Sequence, residues 1–237
     1  MVKNRTNRRN KRTDFEIIKP KDEHGIQYLD SLNKELEDFL ETFPKFKNLN
    51  IRIVFIGSEG VIDYESANVP EVSGSVKIGD GVSDEEIIIS LENIASITHE
   101  FGHVVDDYSI NIGNRDVWSS DYQFAIIAHQ YNKEIDKQIQ NKVIKDHHYD
   151  FVRKDIKDYA CQNYEIYARL FQQYYIDLYG ETRLTKMKEP LDIADETARK
   201  VYQEHKELID NYFDEVYYNV QFEPNLLDLN EQLGRSL

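Results

Sequence analysis

The sequence predicts an α+β chain: a small sheet near the N-terminus, then a mostly helical C-terminal part. Three observations predict it. The longest apolar runs, Ile53–Ile56 and Ile87–Ile89, are short and β-branched and fall between residues 51 and 90. Beyond residue 90, apolar side chains recur at steps of three and four over long stretches. Turn-forming Gly, Pro, Ser and Asp collect in residues 58–83, among the short runs. Strands early and helices late argue for segregated rather than alternating elements.

The first 12 residues carry Lys3, Arg5, Arg8, Arg9, Lys11 and Arg12 and no acid, which leaves a net −21 on the other 225. Residues 1–14 therefore read as a mobile basic arm, and 15–237 as one folded unit. The arm is either a solvated tail or a tether to an acidic partner, nucleic acid or an anionic surface. Over residues 26–43, Ile26, Leu29, Leu32, Leu36, Phe39, Leu40 and Phe43 keep helical spacing, and Pro44 ends the run. Ile51–Ile56 reads as a buried strand. Ser73–Ile78 alternates, with Val76 and Ile78 on one face, and reads as an edge strand; Glu86–Ser90 is a further strand. Helices are expected over about 91–109, 121–145, 162–179 and 190–218, with turns at Gly113–Asn114 and Gly180. Neither an internal repeat nor a low-complexity segment is evident.

Composition narrows the function. The chain has 237 residues, 40% hydrophobic and 31% charged, with 29 Lys and Arg against 44 Asp and Glu, a net −15. Such a surface repels phosphate over most of its area, which argues against a general nucleic-acid binder. A single cysteine, Cys161, excludes an internal disulfide and a cysteine-rich zinc module. No apolar run approaches the roughly 20 residues of a membrane span. The basic start is followed by Thr13-Asp14-Phe15-Glu16 rather than an apolar stretch, so no secretory signal is expected there. Cytoplasm, virion and a non-classical export route all stay open.

The most informative residues are His99-Glu100-Phe101-Gly102-His103. With 7 His and 22 Glu in the chain, H-E-x-x-H arises by chance in about 0.02 of sequences of this composition. Leu91, Ile94, Ala95, Thr98, Val105 and Tyr108 place it on an amphipathic helix. Residues i and i+4 lie one turn apart, so both imidazoles can ligate one ion, and neutral imidazole suits Zn2+. Glu100 is turned about 100° round the helix from His99, beside the metal rather than on it. From there a carboxylate can take a proton from metal-activated water and pass it to a leaving amine. Gly102 costs about 1 kcal/mol in a helix interior, which is tolerable where something approaches closely. Asp106, on the ligand face, or Asp107 is placed to orient an imidazole, or else belongs to a solvated helix end.

A catalytic zinc needs a third protein ligand. The metzincin extension, with Gly three and His six residues after the second His, is absent, because Asp106 and Ser109 stand there. Candidates between 140 and 185 include Asp146, Asp150, Asp155, Asp158, Glu165, Asp177 and Glu181, with His147 and His148. Glu165 stands out because Tyr164–Phe171 is otherwise largely apolar and aromatic, and a lone buried carboxylate is costly unless paired or metal-bound. The alternative is a simple ion pair with Arg169, four residues on. Cys161 reads as a small buried residue, and the many late tyrosines as packing residues with wet hydroxyls.

His99-Glu100-Phe101-Gly102-His103-Val104-Val105-Asp106-Asp107-Tyr108 closely resembles the active-site helix of the anthrax lethal factor-like zinc peptidases. Their relatives include clostridial endopeptidases that cut between prolines. The resemblance is specific over about 99–108, weaker over 159–171, and only architectural from about 50 to 220. It implies a zincin-like metalloprotease domain. It assigns His99, His103 and Glu165 to zinc, since Glu165-Ile166-Tyr167-Ala168 is similar to that family's third-ligand pattern, with Ile in the first aromatic place. It assigns Glu100 as general base and then acid. It implies an oxyanion-binding tyrosine about a turn or two before the third ligand: Tyr159, or Tyr164 as a substitute. In such folds an extended peptide substrate pairs with an edge strand; Val72–Ile78, with Gly74, Ser75 and Val76, is the candidate. Arg169 departs from the family, which often has a second Glu there.

The expected function is zinc-dependent peptide hydrolysis, by an exported toxin or by a regulatory protease acting within the cell that makes it. The alternatives are a catalytically silent structural protein, for instance virion-associated, whose basic arm does the binding, and a zinc amidase with a non-protein substrate.

Overall fold

β-branched side chains crowd a helical turn but fit a pleated surface, and four short strands among the described residues are rich in them. Those strands, which hold only a minority of the chain's β-branched residues, are β1 (Glu16–Ile18), β2 (Arg52–Ile56), β3 (Gly74–Lys77) and β4 (Glu86–Ser90), in the spatial order β1-β2-β4-β3. A computed structural model describes residues 15–44, 51–57, 74–77, 86–111, 117–145, 157–186 and 192–222. The basic arm, most of 58–83, the Gly113–Asn114 turn and His147–His148 lie outside the described residues.

β1, β2 and β4 run parallel, and β3 pairs antiparallel with β4 at the edge. The register puts Glu16, Arg52 and Glu86 in one row, and Arg52 reaches both carboxylates, at 3.3 and 3.2 Å. Burial alternates along β2 and β4: Ile53, Phe55, Ile87 and Ile89 are buried, and their neighbours are only partly covered. One face thus carries the core. β1 is a strand that the sequence pattern does not reveal, being three residues long.

Parallel strands need a crossover. Here α1 (Glu23–Ser31) and α2 (Asn33–Glu41) provide it between β1 and β2. Asp22 caps α1 by accepting the Gly25 N–H at 2.6 Å. The single helix expected over 26–43 is two. The break falls at Leu32, which is fully buried and whose N–H turns back to the Leu29 carbonyl at 2.9 Å. Apolar spacing runs straight through that residue, so periodicity cannot show it.

Among the described residues five longer helices follow: α3 (Ser96–Asn111), α4 (Tyr122–Lys145), α5 (Asn163–Tyr179), α6 (Ile193–Glu204) and α7 (Lys206–Phe222). The expected helices at 121–145 and 162–179 match α4 and α5 to within one residue. The one expected from 91 begins at Ser96, because Leu91–Asn93 forms a separate 3-10 turn. The one expected over 190–218 breaks at His205, whose backbone leaves the helical region at φ −124° and ψ 27°. No described helix is long and apolar enough to cross a membrane.

α5 is the axis of the core, with every side chain from Glu165 to Tyr175 buried. Phe101 of α3 packs on Phe39 and Phe43, with ring centroids 5.0 and 4.7 Å apart. Phe43 stacks on Tyr175 of α5, and Phe171 packs on Phe213 of α7. Aromatic pairs at these distances add about 0.5–1.5 kcal/mol each beyond their buried area. Several late tyrosine hydroxyls are bonded within the protein: Tyr131 donates to the Ala194 carbonyl at 3.0 Å and Tyr217 to the Thr42 carbonyl at 2.7 Å. Gly180 ends α5 at φ +83°, a conformation that favours glycine. The chain then returns: Arg183 binds Glu35 and Ser31, and the Leu184 carbonyl accepts the Thr98 hydroxyl at 3.0 Å.

Candidate metal centre

On α3, Phe101 points into the core, which turns His99 and His103 toward α5. Their rings lie 4.8 Å apart, edge to face at 88°. α5 contributes Glu165 from its first turn. Glu165 Oε2 lies 3.4 Å from His99 Nε2, and Oε1 lies 3.7 Å from His103 Nε2. The three ligand atoms all fall within 4.8 Å of one another, in a partly buried setting. Among the described residues this is the one group of three or more His, Cys, Asp or Glu so placed; Cys161 is outside it.

A tetrahedral ion with bonds of about 2.0–2.1 Å spaces its ligand atoms roughly 3.3 Å apart. Each Glu165 oxygen stands near that spacing from one imidazole, Oε2 from His99 and Oε1 from His103. Two neutral nitrogens and one carboxylate oxygen are also a donor set that zinc accepts. The three residues present could therefore hold a divalent metal ion.

Gly102 sets the approach of the two ligand-bearing helices. A Cβ built there would stand 2.8 Å from the Ala168 Cα, 3.1 Å from its carbonyl oxygen and 3.2 Å from its Cβ. Glycine on α3 facing alanine on α5 lets the backbones nearly touch, one turn from the ligands. The Gln172 amide spans the same seam, donating to the Ala95 carbonyl at 3.1 Å.

Charge in the site is strongly perturbed. Glu100 is buried, and this desolvation, helped by the nearby Glu165 and opposed by His99 and Arg169, pushes its carboxyl up to about 7. Burial first, and then the His99 charge, hold His103 down to about 3, so it stays neutral and able to ligate. Burial alone would raise Glu165. The hydrogen bond from His99, the charges of His99 and Arg169 and a hydrogen bond from Tyr159 outweigh it and bring Glu165 down to about 2.

Tyr159 lies on the helical turn at 157–160, half exposed, and its phenol is raised by burial and by its hydrogen bond to Glu165. Tyr164 is also exposed, its ring 5.7 Å from that of His103. Both tyrosines thus border the cluster, and Tyr159 alone hydrogen-bonds a ligand. Asp106 is buried, and its Oδ1 accepts the Ser119 N–H at 2.6 Å. That bond, with Asn163 donating to the Ser119 carbonyl and Tyr212 to the Trp118 carbonyl, anchors the turn at Trp118–Ser120. Asp107 is less buried, and its carboxyl is raised by desolvation. Gly74, Ser75 and Val76 form the edge strand β3, which runs alongside α3.

Arg169 is the site residue whose part the sequence conceals. Its Nη1 donates to Glu165 Oε2 at 2.6 Å and to the Glu165 carbonyl at 3.2 Å. Its Nε lies 3.3 Å from Asp195 Oδ1 on α6. Spacing at i+4 shows the pair with Glu165, but nothing local shows Asp195. No family model, curated protein or solved structure matches the chain.

Proposed function

We propose that the protein is a zinc-dependent metalloendopeptidase with a zincin-like, lethal factor-like catalytic domain. The observation that carries this reading is the convergence of His99, His103 and Glu165 from two helices, with buried Glu100 beside them. His99, His103 and Glu165 would hold the ion. Bound there, zinc would supply a Lewis acid that polarises the scissile carbonyl and acidifies water. Glu100, poised near neutrality, takes the proton from the attacking water and delivers it to the leaving amine. Tyr159 donates its phenolic hydrogen to the developing oxyanion. β3, at the edge of the sheet formed by the described residues, offers its outer side to an extended peptide, which gives affinity with little sequence reading.

A second reading, a metal-binding or structural protein without turnover, is favoured by Arg169, which already gives Glu165 a buried cationic partner. Zinc content and hydrolysis of a panel of denatured proteins, measured on wild type and Glu100→Gln, separate the two. The expected result is zinc retained in both and turnover reduced in the variant by about 10²–10⁴-fold. Equal hydrolysis by Glu100→Gln removes the mechanism, and a zinc-loaded wild type that cleaves nothing leaves the second reading.

A further inference from the structure

Around the cluster, three carboxylates, those of Glu100, Glu165 and Asp195, sit under the field of one guanidinium. Arg169 is buried, and among the described residues no other Lys or Arg is. A planar fork can serve two acids at once, and here it binds Glu165 Oε2 at 2.6 Å and approaches Asp195 Oδ1 at 3.3 Å. The guanidinium carbon also stands 5.7 Å from the centre of the Tyr159 ring. One side chain therefore touches a candidate ligand, the tyrosine bordering the site and an acid on a third helix.

We propose that Arg169 is the positioning residue of this centre and its built-in counter-cation, compensating Glu165 and Asp195 whenever no metal does so and tying Oε2 so that Oε1 is the oxygen presented beside His103. The proposal rests on the metal reading above. Its physical basis is that a buried carboxylate stripped of its partner is costly, whereas either a guanidinium or a divalent ion can supply that partner. Arg169 and the metal then overlap in function. The metal-free protein folds because Arg169 is there, and the metal gains less from binding than it would in a site without the arginine.

The test is the zinc-dependent rise in Tm, chelated against zinc-loaded, in wild type, Arg169→Gln, Arg169→Lys and Asp195→Asn. Arg169→Gln is expected to lose more stability in chelator than in zinc. Its zinc-dependent rise should exceed the wild type's by about 3–5 °C, equivalent to a roughly tenfold tighter site. Arg169→Lys, which keeps the charge, should return toward the wild-type rise. Asp195→Asn, which leaves the arginine to Glu165 alone, should show a smaller rise than wild type. It reads the proposal even where Arg169→Gln does not fold in either condition. Equal rises in wild type and a folded Arg169→Gln overturn the proposal and leave the metal reading intact, as does an undiminished rise in Asp195→Asn. A wild type that retains no zinc on metal analysis overturns both.

Discussion

Two arginines, Arg52 and Arg169, each stand between two carboxylates. In the sheet, Arg52 links Glu16 and Glu86 across three parallel strands, with about a third of the Arg52 side chain exposed. Between the helices, Arg169 links Glu165 and Asp195 with only 9% of its side chain exposed. The ion pairs join the same residue types and differ chiefly in surroundings. Water screens the sheet triad, so its charges staple strands and do little else. The helical triad is desolvated and stands beside two imidazoles, so any imbalance in it must be met by protonation, by a partner or by an ion. Burial, rather than the identity of the side chains, turns the same motif from a staple into a candidate reactive site.

Breaking the buried triad should have the largest consequence. Glu165→Ala removes the proposed third ligand and deprives Arg169 of its nearest carboxylate. Zinc stoichiometry after dialysis should fall well below one, and stability should drop by about 3–5 kcal/mol in urea titration. Full stoichiometry at wild-type affinity would exclude Glu165 as a ligand. Gly102→Ala attacks the burial itself. The added methyl meets the Ala168 backbone, so a cost of about 1–3 kcal/mol from overpacking competes with about 1 kcal/mol of improved helix propensity. Zinc affinity, read by chelator competition, should weaken about tenfold or more as Glu165 is pushed from the imidazoles.

A pH-dependent effect sharpens the role of burial without touching the triad. The Asp106 carboxyl is raised to about 7, with desolvation as the leading cause and the Ser119 N–H opposing it. Because its folded value exceeds its ordinary value of 3.8, its stabilising contribution is complete at acid pH and is lost as pH rises through about 7. Asp106→Asn can keep the bond from the Ser119 N–H without this titration. Its Tm relative to wild type, in chelator, should therefore climb between pH about 5 and 8, by the equivalent of about 2–4 kcal/mol. The smallest effect should come from the sheet: Arg52→Ala is expected to cost at most about 1 kcal/mol in urea titration and to leave zinc binding unchanged. A larger loss there would mean that exposure is not what separates the two triads.

Features set by local spacing were legible in the sequence. His99 and His103 meet because four residues make about one turn of helix, and α4 and α5 were bounded because turn residues and polar breaks flank their apolar periods. Glu165 could be singled out because one acid in an apolar helix demands a partner. Features that depend on remote contacts were not legible. The break at Leu32 lies within unbroken apolar spacing, the polar run Gln203–Glu207 around His205 is as compatible with a continuous helix as with a break, and β1 is too short to alternate. Asp195 joins Arg169 only through packing of α6 on α5. The partner of Asp106 is a backbone N–H, which no residue type announces. Gly102 signalled that something comes close, while its neighbour Ala168 became visible only once the helices were placed.

That last contact has an evolutionary corollary. The atoms nearest an added Cβ at 102 include the main-chain Cα and carbonyl oxygen of residue 168, which no replacement of the 168 side chain removes. Shrinking alanine to glycine would open little room, so the two positions cannot trade volume in the manner of ordinary core neighbours. A library randomised at both sites should return glycine at 102 whichever residue survives at 168.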